Sequence, residues 1–119
     1  MDKYDLEERL LEFSAEIIRF AERLPNTRAG NHVANQIIRS GTSPYSNHGE
    51  AQGAESQKDF IHKMGVRLKE LRESERWLKL IFKVPLLLRE DKALVSLPKE
   101  SNELIRIFVT SIKTAKGNL

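Results

Sequence analysis

Apolar residues return at steps of three and four through most of this chain. Leu6, Leu10, Phe13, Ile17, Phe20, Ala21 and Leu24 draw one stripe, which predicts an amphipathic helix from about Asp5 to Leu24. Leu11 and Ile18 widen that stripe. Asp5, Glu7 and Glu8 sit at its start, where the helix dipole favours anions, and Pro25 ends it. A later segment opens with Ser56-Gln57-Lys58-Asp59, a capping-box pattern, and runs to about Lys83. Its apolar face reads Phe60, Ile61, Met64, Leu68, Leu71, Leu78 and Phe82. Val84-Pro85 closes it, and Leu86, Leu87 and Leu88 are expected to cover one end of the fold in an irregular turn. A last helix is expected from Leu97-Pro98, burying Leu104, Ile105, Phe108, Ile112 and Ala115 and stopping at Gly117-Asn118.

The segment between these, from Asn26 to Glu55, differs in kind. Asn26 and Thr27 are good N-caps. At helical period Arg28, His32, Asn35, Arg39, Ser43, Ser46 and Glu50 fall on one face, with Val33, Ile37, Pro44 and Ala51 on the other. Pro44 lacks an N–H and crowds the preceding turn, so a kink or a break is expected there. The faces stay in phase across it, which favours one kinked helix to about Ala54; two helices remain the alternative. Four amphipathic helices with short connections predict an all-α, antiparallel up-and-down four-helix bundle, spanning residues 1–119 as a single domain.

Charge sharpens this picture. The net charge is +3, yet residues 1–60 hold 7 Lys/Arg against 10 Asp/Glu, and residues 61–119 hold 13 against 7. Lys69, Arg72, Arg76, Lys79 and Lys83 follow at steps of three and four and form one basic edge, placed about 100° from the centre of the apolar face. Such an edge could track a phosphate backbone, and these five are the candidate nucleic-acid contacts. The competing reading is a solvated flank paired with the Glu-rich first helix. The chain has no cysteine, which excludes disulfides and thiolate zinc sites. The opening MDKYDLEERL is charged and holds no apolar h-region, so a secretory signal is not expected, and no run approaches the length of a membrane span. A cytoplasmic protein is therefore expected.

Catalytic chemistry finds little support. None of His32, His48 and His62 pairs with another histidine at helical spacing. His48-Gly49-Glu50 matches the His-x-Glu of zinc deaminases, but the Pro-Cys-x-x-Cys that completes that site is missing. Arg28 and His32 fall one residue short of the Arg-x4-His of helical RNases, a shift that turns the pair by about 100°. No phosphate loop, dinucleotide fingerprint or nucleophile elbow is present. A non-enzymatic protein without cofactor or metal is expected. Glu75 falls between Leu71 and Leu78 on the apolar face, where a lone carboxylate is costly; Arg39 is its expected partner. The planar polar groups of Arg28, His32, Asn35 and Arg39, with Ser43, Asn47, Glu50 and Glu75, are expected to form an interior or intersubunit polar network. Gly41, Gly49, Gly53, Ala51 and Ala54 thin the second helix for close packing, which favours self-association.

Arg28-Ala-Gly, His32-Val-Ala-Asn-Gln-Ile-Ile-Arg-Ser-Gly-Thr-Ser43, Asn47, Glu50 and Lys58-Asp-Phe-Ile61 resemble the four-helix-bundle proteins encoded within bacterial 23S rRNA intervening sequences. Glu103–Phe108 and Ser111–Lys116 are similar to the family's last helix. The resemblance implies a ring-like homopentamer. It implies a fold shared with the accessory variability protein of diversity-generating retroelements, a basic pentamer that binds a reverse transcriptase and nucleic acid. Arg39, Ser40, Thr42, Ser43, Asn47 and Glu50 match the family's signature, implying a hydrogen-bonding rather than catalytic duty. The implied partners are further copies of the chain, ribosomal or other structured RNA, or a reverse transcriptase.

Overall fold

The computed structural model describes residues 3–119, with side chains from Asp5 onward. Its helices are α1 (Lys3–Glu22), α2 (Arg28–Ser46), α3 (His48–Gln52), α4 (Gln57–Lys83) and α5 (Ala93–Gly117). The four long helices form the bundle in the order α1, α2, α4, α5 around its axis, and α1 meets α5 least. The molecule is a rod of 47 × 22 × 21 Å. Leu10, Phe13, Ile17 and Phe20 of α1 meet Ile37, Leu71, Leu78, Leu104 and Phe108 in one continuous core. Thus the first helix buries the stripe that its spacing predicts. Leu11 and Ile18, expected to widen the stripe, stay outside the core at 38 % and 45 % exposed.

Capping follows the sequence closely at two helix starts. Thr27 accepts a hydrogen bond from the Gly30 amide at 3.0 Å, and Ser56 accepts one from the Asp59 amide at 3.0 Å. The Asp59 carboxylate reaches back to the Glu55 amide and also holds Lys63, and these bonds keep its pKa below the ordinary carboxylate value. The last helix starts a full turn before Leu97. Asp91 explains this: its carboxylate accepts the Ala93 amide at 3.0 Å and an ion pair from Arg23 at 2.9 Å. Pro98 then lies inside α5 rather than at its opening. Leu86 and Leu87 are half-buried at the bundle end, while Leu88 projects into solvent.

Pro44 lies inside α2 without ending it. The helix breaks three residues later, at Asn47, which closes α2 and precedes the short α3. The Ser14 hydroxyl donates to the Gly41 carbonyl at 3.2 Å, one residue past the Ser40 carbonyl that Pro44 leaves without its helical donor. The single kinked helix expected to Ala54 is therefore two helices, α2 and α3, and the interruption sits at Asn47.

Two glycines mark backbone approaches that no side chain could share. A Cβ on Gly41 would lie 2.8 Å from Ile17 Cγ2, so α1 and α2 touch through a notch. A Cβ on Gly30 would lie 2.0 Å from the Pro25 carbonyl oxygen, where the loop folds over the start of α2. Gly49 has nothing within 4 Å of such an atom. Alanine gains about 1 kcal/mol over glycine in helix propensity, whereas overpacking a tight core costs about 1–3 kcal/mol. Gly41→Ala is expected to destabilise the fold by about 1 kcal/mol. Gly30→Ala is expected to cost more, since a carbonyl cannot yield as a side chain can. Urea midpoints of both variants test the order; equal midpoints for wild type and G30A would contradict the packing account.

Candidate nucleic-acid interface

The orientation of α4 decides what the basic edge can do. Its buried residues are Met64, Arg67, Leu71, Ser74, Leu78 and Ile81. At about 100° per residue these centre near Ser74, and Lys69, Arg72, Arg76, Lys79 and Lys83 fall about 150° away. All five cations are exposed, nearly opposite the core rather than on its flank. The apolar face expected from the sequence was rotated. Phe82 is 46 % exposed, and Ile81 takes the core position. Among the described residues, none of the five cations forms an ion pair, so α1 does not neutralise them. Nearby carboxylates are engaged elsewhere: Glu70 with Arg67, and Glu73 with Arg39 and the Trp77 indole. Neighbouring like charges on a helix repel by about 0.2–0.5 kcal/mol each. The stripe spans about 21 Å of helix at 1.5 Å per residue.

The expected pairing of Arg39 with Glu75 does not form. Arg39 bonds Glu73, which faces α2, while Glu75 is half-buried on the opposite flank of α4 and forms no salt bridge among the described residues. The interior polar position belongs to Ser74. Its hydroxyl lies 2.8 Å from that of Ser40, and both serines are fully buried. Two short side chains let α2 and α4 close on each other while each hydroxyl finds a partner.

The other residues of the expected polar network divide. Arg28, His32 and Asn35 lie exposed on the outer face of α2, with His32 edge-on to Trp77 at 6.0 Å. The Ser43 hydroxyl folds back to the Arg39 carbonyl at 2.8 Å. Asn47 and Glu50 instead meet Arg67, a residue that sequence reasoning passed over. Arg67 is only 7 % exposed. It donates from Nε to Glu70 at 2.6 Å, and from Nη1 to the Asn47 carbonyl at 3.4 Å and Glu50 at 3.5 Å. It therefore fastens the α2–α3 junction to α4. A signal existed: Arg67 stands four residues before Leu71 and three after Met64, in phase with the core. Removing one partner of a buried pair costs about 3–5 kcal/mol, and Glu50 remains largely solvated, so the low end applies. Arg67→Ala is expected to lose about 3 kcal/mol in chemical denaturation, against less than about 1 kcal/mol for the exposed Arg72→Ala.

His48, the first residue of α3, is 3 % exposed, and its ring packs near Phe108 at 6.2 Å. Its Nδ1 is sealed from solvent without a hydrogen-bond partner. Burial chiefly lowers its pKa from the ordinary 6.5; Glu7 opposes this and Arg67 reinforces it. The unfolded chain then binds a proton that the folded chain resists. Stability is full above pH 6.5 and falls as the pH drops below it. His48→Leu is expected to flatten that dependence in urea midpoints taken between about pH 7 and pH 5; an unchanged slope would assign the acid sensitivity to other groups.

Among the described residues, no three His, Asp or Glu side chains converge as a metal site, and no helix is long and apolar enough to cross a membrane. The class so defined is a helical bundle with a cationic outer edge on its longest helix. Residues 3–110 match the 23S rRNA-intervening sequence protein family, and the chain belongs to that family. A solved structure of similar fold is a protein with unknown function from the S23 ribosomal protein family of Bacteroides thetaiotaomicron VPI-5482. It is 34% identical, with a TM-score of 0.84, over 95% of this chain and 99% of that one. No curated protein matches the chain.

Proposed function

We propose that this protein is a non-enzymatic, cytoplasmic homo-oligomer that binds structured RNA through the α4 stripe. The observation that carries the reading is the set of five exposed, unpaired cations on the helix face opposite the core. A polyanion relieves their mutual repulsion and releases its own counterions on binding. The family's name points to ribosomal RNA as the first RNA to try. The exposed planar groups of Arg28, His32 and Asn35 on α2 support self-association, and a ring of five copies would repeat the stripe around its rim. Repetition of weak sites raises avidity where the geometry lets several engage together. A nucleic-acid enzyme such as a reverse transcriptase would meet the same surface through bound RNA.

The test is salt-dependent binding to 23S rRNA fragments, with solution mass measured on the same sample. Arg72→Glu combined with Arg76→Glu is expected to weaken binding across all RNA sequences and reduce the slope of log affinity against log salt by about two. Unchanged affinity and slope in the double variant would remove the basis of the proposal and favour a protein-interaction scaffold. A monomeric mass would remove the ring.

A further inference from the structure

Ser14 of α1 donates to the Gly41 carbonyl, which marks the edge along which α1 and α2 meet. Leu11 and Ile18 stand three residues before and four after Ser14, so they continue α1 outward from that edge. They belong to a row of Glu8, Leu11, Ala15, Ile18 and Glu22, stepping by three and four along the outside of α1. Leu11 and Ile18 are exposed. At each end of the row stands an exposed carboxylate that forms no ion pair among the described residues. Beside this row on α2, Ile38 and Tyr45 stand three residues before and four after Gly41, half-buried against the core. These rows are apolar and acidic: their charged members are Glu8 and Glu22, a net −2.

The other side of the rod is built with the opposite sign. α2 holds one flank of α4 through Ser74 and Glu73. The flank toward α5 carries Leu68, Arg72, Glu75, Lys79 and Phe82, again at steps of four and three. Glu100 ties α5 to Arg9 of α1. About 120–140° around α5 from Glu100 lie Ile105 and Ile112, half-buried against the core, with Lys116 exposed one turn on. In these rows Arg72, Lys79 and Lys116 stand against Glu75, a net +2. With the helices in the order α1, α2, α4, α5 around the axis, the two sides lie on opposite faces of the bundle. One copy cannot bring them together, since its own core stands between them. The row from Glu8 to Glu22 and the row from Leu68 to Phe82 each span 14 residue steps, about 21 Å at 1.5 Å per residue.

We infer that the α1–α2 side of one copy docks on the α4–α5 side of a second copy. Burial of Leu11, Ile18 and Phe82 supplies the apolar part of the contact. Glu8 and Glu22 meeting Arg72, Lys79 and Lys116 select the partner face and its orientation. A nucleic acid does not fit the α1–α2 side, where carboxylates repel phosphate. The contact is heterologous: each copy uses two different faces, so the assembly closes into a ring or runs on as a filament. The inference rests on the self-association proposed above and names the faces that carry it. Lys69 and Arg76 lean toward α2, outside the contact, and remain open to a polyanion.

The experiment measures the solution mass of the full chain by light scattering through a dilution series. Wild type is expected to be multimeric. Ile18→Lys places a cation in the acidic face at an exposed position, and is expected to weaken association at least about tenfold while the helical circular dichroism stays at the wild-type level. Glu8→Lys with Glu22→Lys is expected to weaken it as well, and so is Arg72→Glu with Lys79→Glu. The chain carrying all four reversals is expected to regain association, because its two faces again carry opposite charge. No recovery in that chain, or a multimer that I18K leaves unchanged, overturns the inference and leaves self-association standing. A monomeric wild type overturns both.

Discussion

α2 meets both of its neighbours through small residues, and the packing of the bundle depends on those two contacts. On one side Gly41 opens a notch for Ile17 of α1. On the other, Ser40 meets Ser74 of α4 at 2.8 Å. A larger residue at either place would push the helices apart and expose the core between them. The serine pair accompanies the rotation of α4, since Ser74 is the one short hydroxyl side chain on that helix. Ser74 inward means that Met64, Leu71, Leu78 and Ile81 enter the core with it.

That rotation arranges the charges. Glu73 turns toward α2 and takes Arg39 and Trp77. Arg67 turns inward, where the break at Asn47 supplies a carbonyl and Glu50 a carboxylate. Lys69, Arg72, Arg76, Lys79 and Lys83 face solvent and form no ion pair among the described residues. A buried cation and an exposed cationic row on one helix are thus two results of a single register. The buried arginine is satisfied within the chain. The exposed row is satisfied only by water, salt or a partner with opposite charge.

The chain belongs to the 23S rRNA-intervening sequence protein family, and its fold is the helical bundle seen in a solved protein of similar fold. The outer rows of α1 and α4 lie on opposite sides of that bundle, and they differ in the sign of the charge they present.

Much was legible from the residues alone. The stripe from Leu6 to Leu24, the caps at Thr27 and Ser56, and the four long helices rest on local periodicity and capping, which the sequence carries in itself. The signature of Asn47 and Glu50 was visible as a motif, though not its partner. The rotation of α4 was not legible. Met64, Leu71 and Leu78 were legible as core positions, and Phe60 and Leu68 pack against that core, but periodicity did not show that Ile81 enters it while Phe82 stays outside. Packing of α4 against both α2 and α5 decides this, with Ser74 meeting Ser40 and Glu75 left half-buried at the flank. Arg67 was missed for a related reason: a cation in phase with the core looks like an exception until a helix break 20 residues away brings it a carbonyl. Sequence by itself determined which segments are helical and which residues are available. Tertiary structure decided which way each helix faces, because facing is settled by close contacts between residues far apart in the chain.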